Sequence, residues 1–506
     1  MSKKFYICTA IAYVNGVPHL GHAMEFIEAD AIARYKRMMG FDVRFSIGTD
    51  EYGVKLFNTA KEQGIAPQEM ADMNSAVFRS LKEVLGLSFD DFIRTTDQKR
   101  HWPACRKIWK KLRDAGDIYE KEYQGLYCEG CETFMAAHEL VEGKCPNHKK
   151  APTLVKEKNY FFRLSKYTEP IRKLIDSGEL KIVPEIRKTE FMALLEQGLQ
   201  DVSFSRPREV LPWGVEVPDD STQVMYVWCD ALTNYISSLG YGESEKGSAA
   251  FQKYWPCDVQ VIGKDILRHH AGIWQGMLLS AGIPNSRAIF VHGFIGHNGE
   301  KMSKTLGNVV DPIEVAQKYG TDALRYYLLR EVATGHDGDF SDELFIERFN
   351  SDLANNLGNL VNRVHTLVTR NKITDFTFDQ GHQEYEAKVH ELWKKYVADM
   401  DQFDLHEGVH HAWRLVDFAN KKMEDEKPWS TLKINPPAAR ATLCNLLEIL
   451  RHISILISPF IPATSAKIRQ QLGLPAAIDS KEENGWGVVK NWTRLGEASI
   501  IFPRIE

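Results

Sequence analysis

The sequence lacks any apolar run approaching the roughly 18 residues that a membrane-spanning helix requires, so none of its 506 residues is read as crossing a bilayer. It lacks a basic surplus as well. The formal net charge is -5, whereas a protein that coats nucleic acid non-specifically depends on a large positive surface. A local RNA-binding face stays open. No Gly-x-Gly-x-x-Gly follows the first strand-like segment, which removes the usual signature of a nicotinamide enzyme. No internal repeat or low-complexity stretch is present. The N-terminus carries neither an apolar signal region nor an Arg/Ser-rich transit stretch, and the cytosol is the expected address. Cysteine is scarce, with eight in the chain. Five of them (Cys8, Cys105, Cys229, Cys257 and Cys444) lie singly among apolar residues and read as core thiols of a reducing compartment.

What is present is an ordinary globular balance, 43% hydrophobic and 26% charged, in a chain long enough for about three domains at roughly 150 residues each. The opening reads strand, turn, helix. Phe5 to Thr9 is β-rich, Asn15-Gly16-Val17-Pro18 is a turn, and Met24, Ile27, Ala31, Tyr35 and Met38 recur at helical spacing up to Gly40, a suitable C-cap. Asp42 to Ile47 predicts a second strand, with Gly48 to Glu51 at its end and a helix through Glu62. Such alternation implies a parallel sheet whose ligand crevice lies at the carboxyl ends of its strands, where His19, His22 and Asp50 fall. Between about Gly116 and Pro218 the pattern is interrupted and reads as an insertion. It resumes with a strand at Val259 to Ile262, a helix at Asp265 to Ser280 and a strand at Ala288 to Gly293. From about Phe345 strands become rare, and Leu353, Leu357, Leu360, Val364 and Leu367 form the stripe of a helical bundle.

His19-Leu20-Gly21-His22 lies where strand gives way to helix, so two imidazoles at i and i+3 share one face of a helix N-terminus, an end that attracts phosphate. Gly21 leaves room for a flat group such as adenine. Taken alone, the pair reads first as histidines that cap or pack the helix. Lys301-Met302-Ser303-Lys304-Thr305 follows an expected hairpin turn at Asn298-Gly299 and offers two cations in a loop, as a polyphosphate clamp needs. Taken alone, it is a basic loop. One motif follows the first strand and the other the last strand of one split sheet, and together they resemble the two signatures of class I aminoacyl-tRNA synthetases. Leu20 and Thr305 stand where that family usually has Ile and Ser, and both keep size or hydroxyl character.

Three further segments look like those of methionyl-tRNA synthetases: Ile11-Ala12-Tyr13-Val14-Asn15-Gly16, Val227 to Tyr235, and Gly263 to His270. The resemblance runs through nearly the whole chain. It implies ATP-dependent activation of methionine to methionyl-adenylate and transfer to the 3′-terminal ribose of tRNA(Met), initiator and elongator, with Mg²⁺ accompanying ATP. His19 and His22 would lie near the α-phosphate, and Lys301 and Lys304 on the β- and γ-phosphates. Ile11, Tyr13, Trp228, Ala231, Leu232, Tyr235, Ile266 and His270 would line the methionine side-chain pocket, and Asp50 would hold the ammonium group. Arg206 would sit near carboxylate and pyrophosphate, Glu216 and Asp265 near the ribose. Without the resemblance, the stripe Trp228, Ala231 or Leu232, and Tyr235 reads as core rather than pocket. A thioether suits aromatic walls, and Tyr13 and His270 are each expected to offer a hydrogen to the sulfur.

Cys128-Glu129-Gly130-Cys131, thirteen residues, then Cys145-Pro146-Asn147-His148 gives two ligand pairs at the spacing of a tetrahedral Zn²⁺ site. Four protein ligands make it structural. In the bundle, Asn355, Asn359 and Arg363 repeat every four residues opposite the leucine stripe, and Pro428-Trp429 offers an aromatic at a helix end. The resemblance assigns Asn359, Arg363, Pro428 and Trp429, with Asn355, to the CAU anticodon. The expected organisation is a split Rossmann-type α/β unit at 1–115 and 221–290, an inserted zinc-knuckle unit at 116–220, a lysine-motif linker at 291–345 and an anticodon-binding bundle at 346–506. A monomer is expected. Synthetases for Leu, Ile or Val typically carry a larger insertion, and one for Cys would be expected to place zinc ligands in its amino acid pocket.

Overall fold

The computed structural model describes residues 3–128, 133–135, 140–146, 149–302, 307–374, 376–478, 480–489 and 492–506. Its centre is a seven-stranded parallel sheet. In chain order the strands are β1 (Lys4–Thr9), β2 (Ala12–Tyr13), β3 (Asp42–Asp50), β4 (Asp91–Arg94), β5 (Lys181–Val183), β6 (Val259–Gly263) and β7 (Ala288–His292). The spatial order is β2-β3-β1-β6-β7-β5, with β4 also pairing β3. β1 lies between β3 and β6, so two halves separated by some two hundred residues of chain share one hydrogen-bonded ladder. The runs Phe5 to Thr9 and Val259 to Gly263 are buried on both faces and mostly apolar, as a parallel sheet covered on both sides requires.

The stretch 116–220, expected as an insertion, is not an excursion throughout. Lys181–Val183 returns to the main sheet and pairs with β7. Before it stand the long antiparallel strands Ile118–Cys128 and Thr153–Phe162, joined by Thr133–Met135 on one edge and Val202–Ser203 on the other. After it a small antiparallel sheet, Ser205–Pro207, Asp220–Met225 and Glu216–Val217, leads into the helix Val227–Leu232. The expected helix from Asp265 is broken into shorter turns, a 3₁₀ segment Lys264–Ile266, a π-helical segment Arg268–Trp274 and an α-helix Gln275–Ala281. Wider turns of this kind re-aim side chains, and they occur often at functional sites.

Helix α1 (Leu20–Met38) is covered on nearly every side, with fifteen residues buried. It crosses the sheet and meets α2 (Thr321–Glu331) and α4 (Leu405–Glu426), the latter packed on α3 (Gln383–Asp401). One apolar core runs from Phe5 through α1, α2 and the bundle to Ile501, so the change of character near residue 345 is not a break in packing. The bundle closes with α5 (Pro428–Ile434), α6 (Pro436–Leu456) and a C-terminal tail whose Phe502 meets Phe349 at 5.6 Å. The five scattered cysteines are buried in the cores as expected. Among the described residues no helix is long and apolar enough to cross a membrane.

Inside this apolar join lies one buried ion pair. Asp30 of α1 and Arg325 of α2 are fully buried and paired at 2.8 Å. Arg325 also donates to the carbonyls of Leu85 (3.1 Å), Pro459 (3.0 Å) and Phe460 (2.7 Å), while Asp30 accepts from Arg34 and from the backbone and hydroxyl of Ser88, each at 2.6 Å. Burial opposes ionisation of Asp30, but Arg325, Arg34 and Ser88 outweigh it and hold the carboxyl below the usual carboxylate range. A depressed carboxyl stabilises the fold above its unfolded pKa, and the contribution is lost as pH falls through the folded value. Arg325→Met should therefore destabilise the protein at neutral pH by about 3–5 kcal/mol, the cost of stranding a buried charge. Urea unfolding checks this, and the difference from the parent should shrink as pH is lowered into the acid range.

Candidate active site

A cavity of about 340 Å³ opens at the carboxyl ends of β1, β3, β6 and β7, where ligands sit in open parallel sheets. Ala10, Ile11, Ala12 and Tyr13 follow β1, and Asp50 closes β3. Trp228, Ala231, Leu232, Asn234 and Tyr235 come from the short helices after the insertion, and Gly263, Asp265, Ile266 and His270 from the end of β6 and its π-helical continuation. His19, Gly21, His22 and Glu25 enter from the first turns of α1. His292 to Ile295 with Lys301 and Met302 complete the lining. All eight residues expected to form the methionine side-chain pocket, together with Asp50, Asp265, Lys301 and both histidines, are thus brought to one space.

The histidines cap their helix reciprocally. His19, the N-cap, accepts the Gly21 N–H on Nδ1 at 3.1 Å, and His22 Nδ1 accepts the His19 N–H at 3.2 Å. The rings stack at 3.9 Å. Because each Nδ1 is an acceptor, the neutral rings carry their proton on Nε2. The capping reading is present in the structure, with Nδ1 of each ring serving the helix start. Gly21, which lines the cavity, also has a local steric reason. A Cβ there would stand 2.9 Å from the His19 ring, so the glycine is what lets that ring fold back over the helix start.

The lysine motif begins as expected. Ile295–His297 and Glu300–Lys301 pair antiparallel across Asn298-Gly299, both with positive φ, the two-residue turn that matches strand twist. The Lys301 ammonium lies 4.9 Å from the Phe294 ring centre. Lys304 and Thr305 lie outside the described residues.

The structure corrects the role expected of His270. Its Nδ1–H donates to the Ile266 carbonyl at 2.9 Å, and its Nε2 accepts the Tyr235 hydroxyl. Burial pushes its pKa down to about 4, so the neutral ring has no second N–H for a sulfur atom. It orients Tyr235 instead. Trp228 stacks on His269 at 3.6 Å and 15°, which fixes its indole as a wall of the cavity.

Two expected residues are not brought there. Arg206 is buried among Tyr226, whose ring centre is 3.7 Å away, and Tyr127, and it donates to Ser203 Oγ (2.7 Å) and the Ser205 carbonyl (2.8 Å). Glu216 lies on the small antiparallel sheet, half-exposed, paired with Arg208 at 2.9 Å. Neither lines the cavity.

One group was missed. Glu25 accepts from His292 Nε2 at 3.0 Å, with both side chains on the cavity wall. Burial alone would lower His292, but the Glu25 hydrogen bond and the charges of Glu28 and Glu25 lift it to about 9, so it is an imidazolium at neutral pH. Burial raises Glu28 to about 7, against the pull of His292. The signal available in sequence was Glu25 three residues beyond His22, a carboxylate on the histidine face of an apolar helix.

In the bundle, Asn355 and Asn359 are exposed, and Arg363 lies 5.1 Å from the Trp429 ring centre while pairing Glu424 at 2.8 Å. Pro428 is the buried first residue of α5, set by a left-handed Lys427. Arg363 and Trp429, 66 positions apart in the chain (429 − 363), thus form one cation–π pair. Cys128 and Cys145 are buried yet belong to none of the apolar cores, and Cys131 and His148 lie outside the described residues.

Known proteins match over the same extent. The family described as tRNA synthetases class I (M) matches residues 5–153 and 147–365, and the anticodon binding domain of methionyl tRNA ligase matches 377–502. A methionine--tRNA ligase of Caldanaerobacter subterraneus subsp. tengcongensis is 41% identical over all of this chain and 80% of its own length. One from Brucella suis biovar 1 is 40% identical over 99% of this chain and 98% of its own. The solved structure of Mycobacterium tuberculosis methionyl-tRNA synthetase in complex with methionyl-adenylate superposes with a TM-score of 0.93 at 39% identity, covering 99% of this chain and 100% of that one. A cavity on the carboxyl edge of a split parallel sheet, an intact histidine motif and end-to-end likeness to these relatives together place the chain in the methionyl-tRNA synthetase family of class I.

Proposed function

We propose that this chain is a methionine–tRNA ligase. It activates L-methionine with ATP to methionyl-adenylate and pyrophosphate, then transfers methionine to the 3′-terminal ribose of tRNA(Met), releasing AMP. The observation that carries this reading is the meeting, in one cavity, of an aromatic and aliphatic lining with an acid, two imidazoles and a lysine. Asp50 holds the substrate ammonium, and Tyr13, Trp228, Tyr235 and Ile266 surround the thioether, whose polarisable sulfur gains from aromatic contact. The methionine carboxylate forms its bond to the α-phosphorus as the bond to the bridging oxygen breaks and pyrophosphate leaves. Catalysis is positioning and charge stabilisation. His19 and His22 donate from Nε2 to the phosphate oxygens that gain charge, and Lys301 and Lys304 hold the leaving phosphates. Asp265 faces the ribose, and the Glu25–His292 pair supports that wall. Mg²⁺ bound with ATP neutralises part of the polyphosphate charge. Exchange of labelled pyrophosphate into ATP tests the whole reading. Methionine should support it and the other nineteen amino acids should not, and silence with methionine would refute the assignment.

The bundle reads the anticodon. Asn355 and Asn359 on the exposed face, with the Arg363–Trp429 pair beside Pro428, offer hydrogen bonds and a stacking surface to splayed bases. Base stacking on an aromatic side chain contributes about 1–3 kcal/mol per base. Trp429→Ala should accordingly lower kcat/KM for tRNA by roughly 5- to 150-fold while leaving methionine-dependent pyrophosphate exchange intact. Equal losses in both assays would remove the anticodon role.

A structural Zn²⁺ is held by Cys128, Cys131, Cys145 and His148. Among the described residues Cys128 and Cys145 are buried thiols outside the apolar cores, which suits a metal ligand set better than a packing role. The ion stiffens the antiparallel insertion. Elemental analysis of protein purified without chelators should give one zinc bound through these residues, reduced in Cys145→Ser. The chain works as a monomer, its tail closing on its own bundle through Ile505 N–H to Asn350 Oδ1 at 2.9 Å.

A further inference from the structure

We propose that His406, His410 and Glu407 form a second metal site, taking a borderline divalent ion of the Zn²⁺, Co²⁺ or Ni²⁺ class, at the seam between the lysine-motif unit and the bundle. The residues read His406-Glu407-Gly408-Val409-His410 at the start of α4. His-Glu-x-x-His on a helix sets two imidazoles one turn apart on a single face. Their Nε2 atoms are 3.1 Å apart. The 3.1 Å contact is a hydrogen bond between the rings, and two Zn–N bonds of about 2.0–2.1 Å meeting at a tetrahedral angle place the nitrogens about 3.3 Å apart, so a shared ion replaces that proton with little movement of the rings. A Glu407 carboxylate oxygen lies within 4.8 Å of both ligand nitrogens.

The scaffold under this trio is fixed. The Asp404 side chain accepts the Glu407 N–H at 3.2 Å, and Thr334 Oγ1 donates to Asp404 at 3.0 Å while accepting the His406 N–H at 3.3 Å. The helix start is thereby tied to the segment after α2. Both imidazoles are partly buried, with the charge of Arg330 beside them. Glu331, Asp404 and Glu407 offset Arg330 beside His406. Arg414 reaches Glu407 at 3.5 Å and His411 Nδ1 at 3.2 Å. Glu407 also lies within 4.8 Å of a neighbouring pair, Asp399 and His411, joined at 2.7 Å, which adds a second carboxylate beside the site. Two imidazoles and one carboxylate leave coordination positions for water, and nitrogen and oxygen donors without thiolate favour the borderline divalent ions. The set contains no cysteine and is separate from the knuckle.

The test is titration of the full-length protein, its knuckle zinc retained, with Co²⁺ alone. A d–d absorption without a sulfur charge-transfer band and a rise in Tm are expected, because binding to the folded state stabilises it. The double variant His406→Gln/His410→Gln should weaken Co²⁺ binding by more than about 100-fold, since even outer-shell partners of a metal are worth 10–100-fold. It should keep the knuckle zinc and methionine-dependent exchange. Co²⁺ spectra and Tm shifts indistinguishable between parent and double variant would overturn the site, as would a parent that takes up no thiolate-free Co²⁺. If the double variant does not fold, the partly exposed Glu407→Gln decides: affinity reduced roughly tenfold supports the site, and unchanged affinity overturns it.

Discussion

The buried pair of Asp30 and Arg325 is the contact on which the arrangement of the rest depends. Asp30 sits midway along α1, whose first turn carries the histidine motif and whose last turns reach α3 through Lys36 and Asp401 at 2.6 Å. Arg325 is held by three carbonyls from two other parts of the chain. A planar guanidinium with five fixed donors cannot satisfy these partners in more than one geometry, so the pair sets the angle between sheet and bundle as well as joining them. The position of α1 then determines where His19 and His22 stand, because their rings are held by the helix's own first N–H groups. The two rings are consequently as fixed as the helix start that holds them.

The cavity combines two environments that a single surface would not hold together. Its apolar wall rests on Tyr235 and Trp228, each restrained by a neutral histidine, through a hydrogen bond to His270 and a stack on His269. Burial keeps those two rings uncharged. On the α1 side, His292 is charged because Glu25 and Glu28 answer it. Histidines of one cavity thus sit in opposite protonation states at neutral pH, set by whether a carboxylate lies within reach. That separation suits a substrate whose side chain is apolar and whose reacting partner is a polyphosphate.

The bundle shows the same economy. Arg363 and Trp429 come from helices far apart in sequence, and their pairing positions an aromatic plane and a guanidinium on one surface. At the other end of α4, helical spacing brings His406 and His410 together beside Glu407, while Asp399 reaches Glu407 and His411 because α3 packs alongside.

The division between sequence and tertiary structure follows the range of the interactions. The strand–turn–helix at the start, the Asn298-Gly299 hairpin, the leucine stripe and the x-x spacing of the cysteine pairs are local patterns, set by backbone preference and period, and were legible from the residues themselves. So was the pocket lining, because its members stand in three compact segments whose resemblance to the family is continuous. Pairings across the fold were not legible. Glu25 and His292 are 267 residues apart, and nothing at either position announces the other. His270 reads as a hydrogen donor until its two nitrogens are seen to be engaged, Arg206 and Glu216 turn to partners away from the cavity, and β5 leaves the insertion to join the main sheet. Local chemistry determined which groups the chain carries; packing over long sequence separations decided which of them face the substrate and in what protonation state, because burial and charge are properties of the assembled neighbourhood and not of the residue.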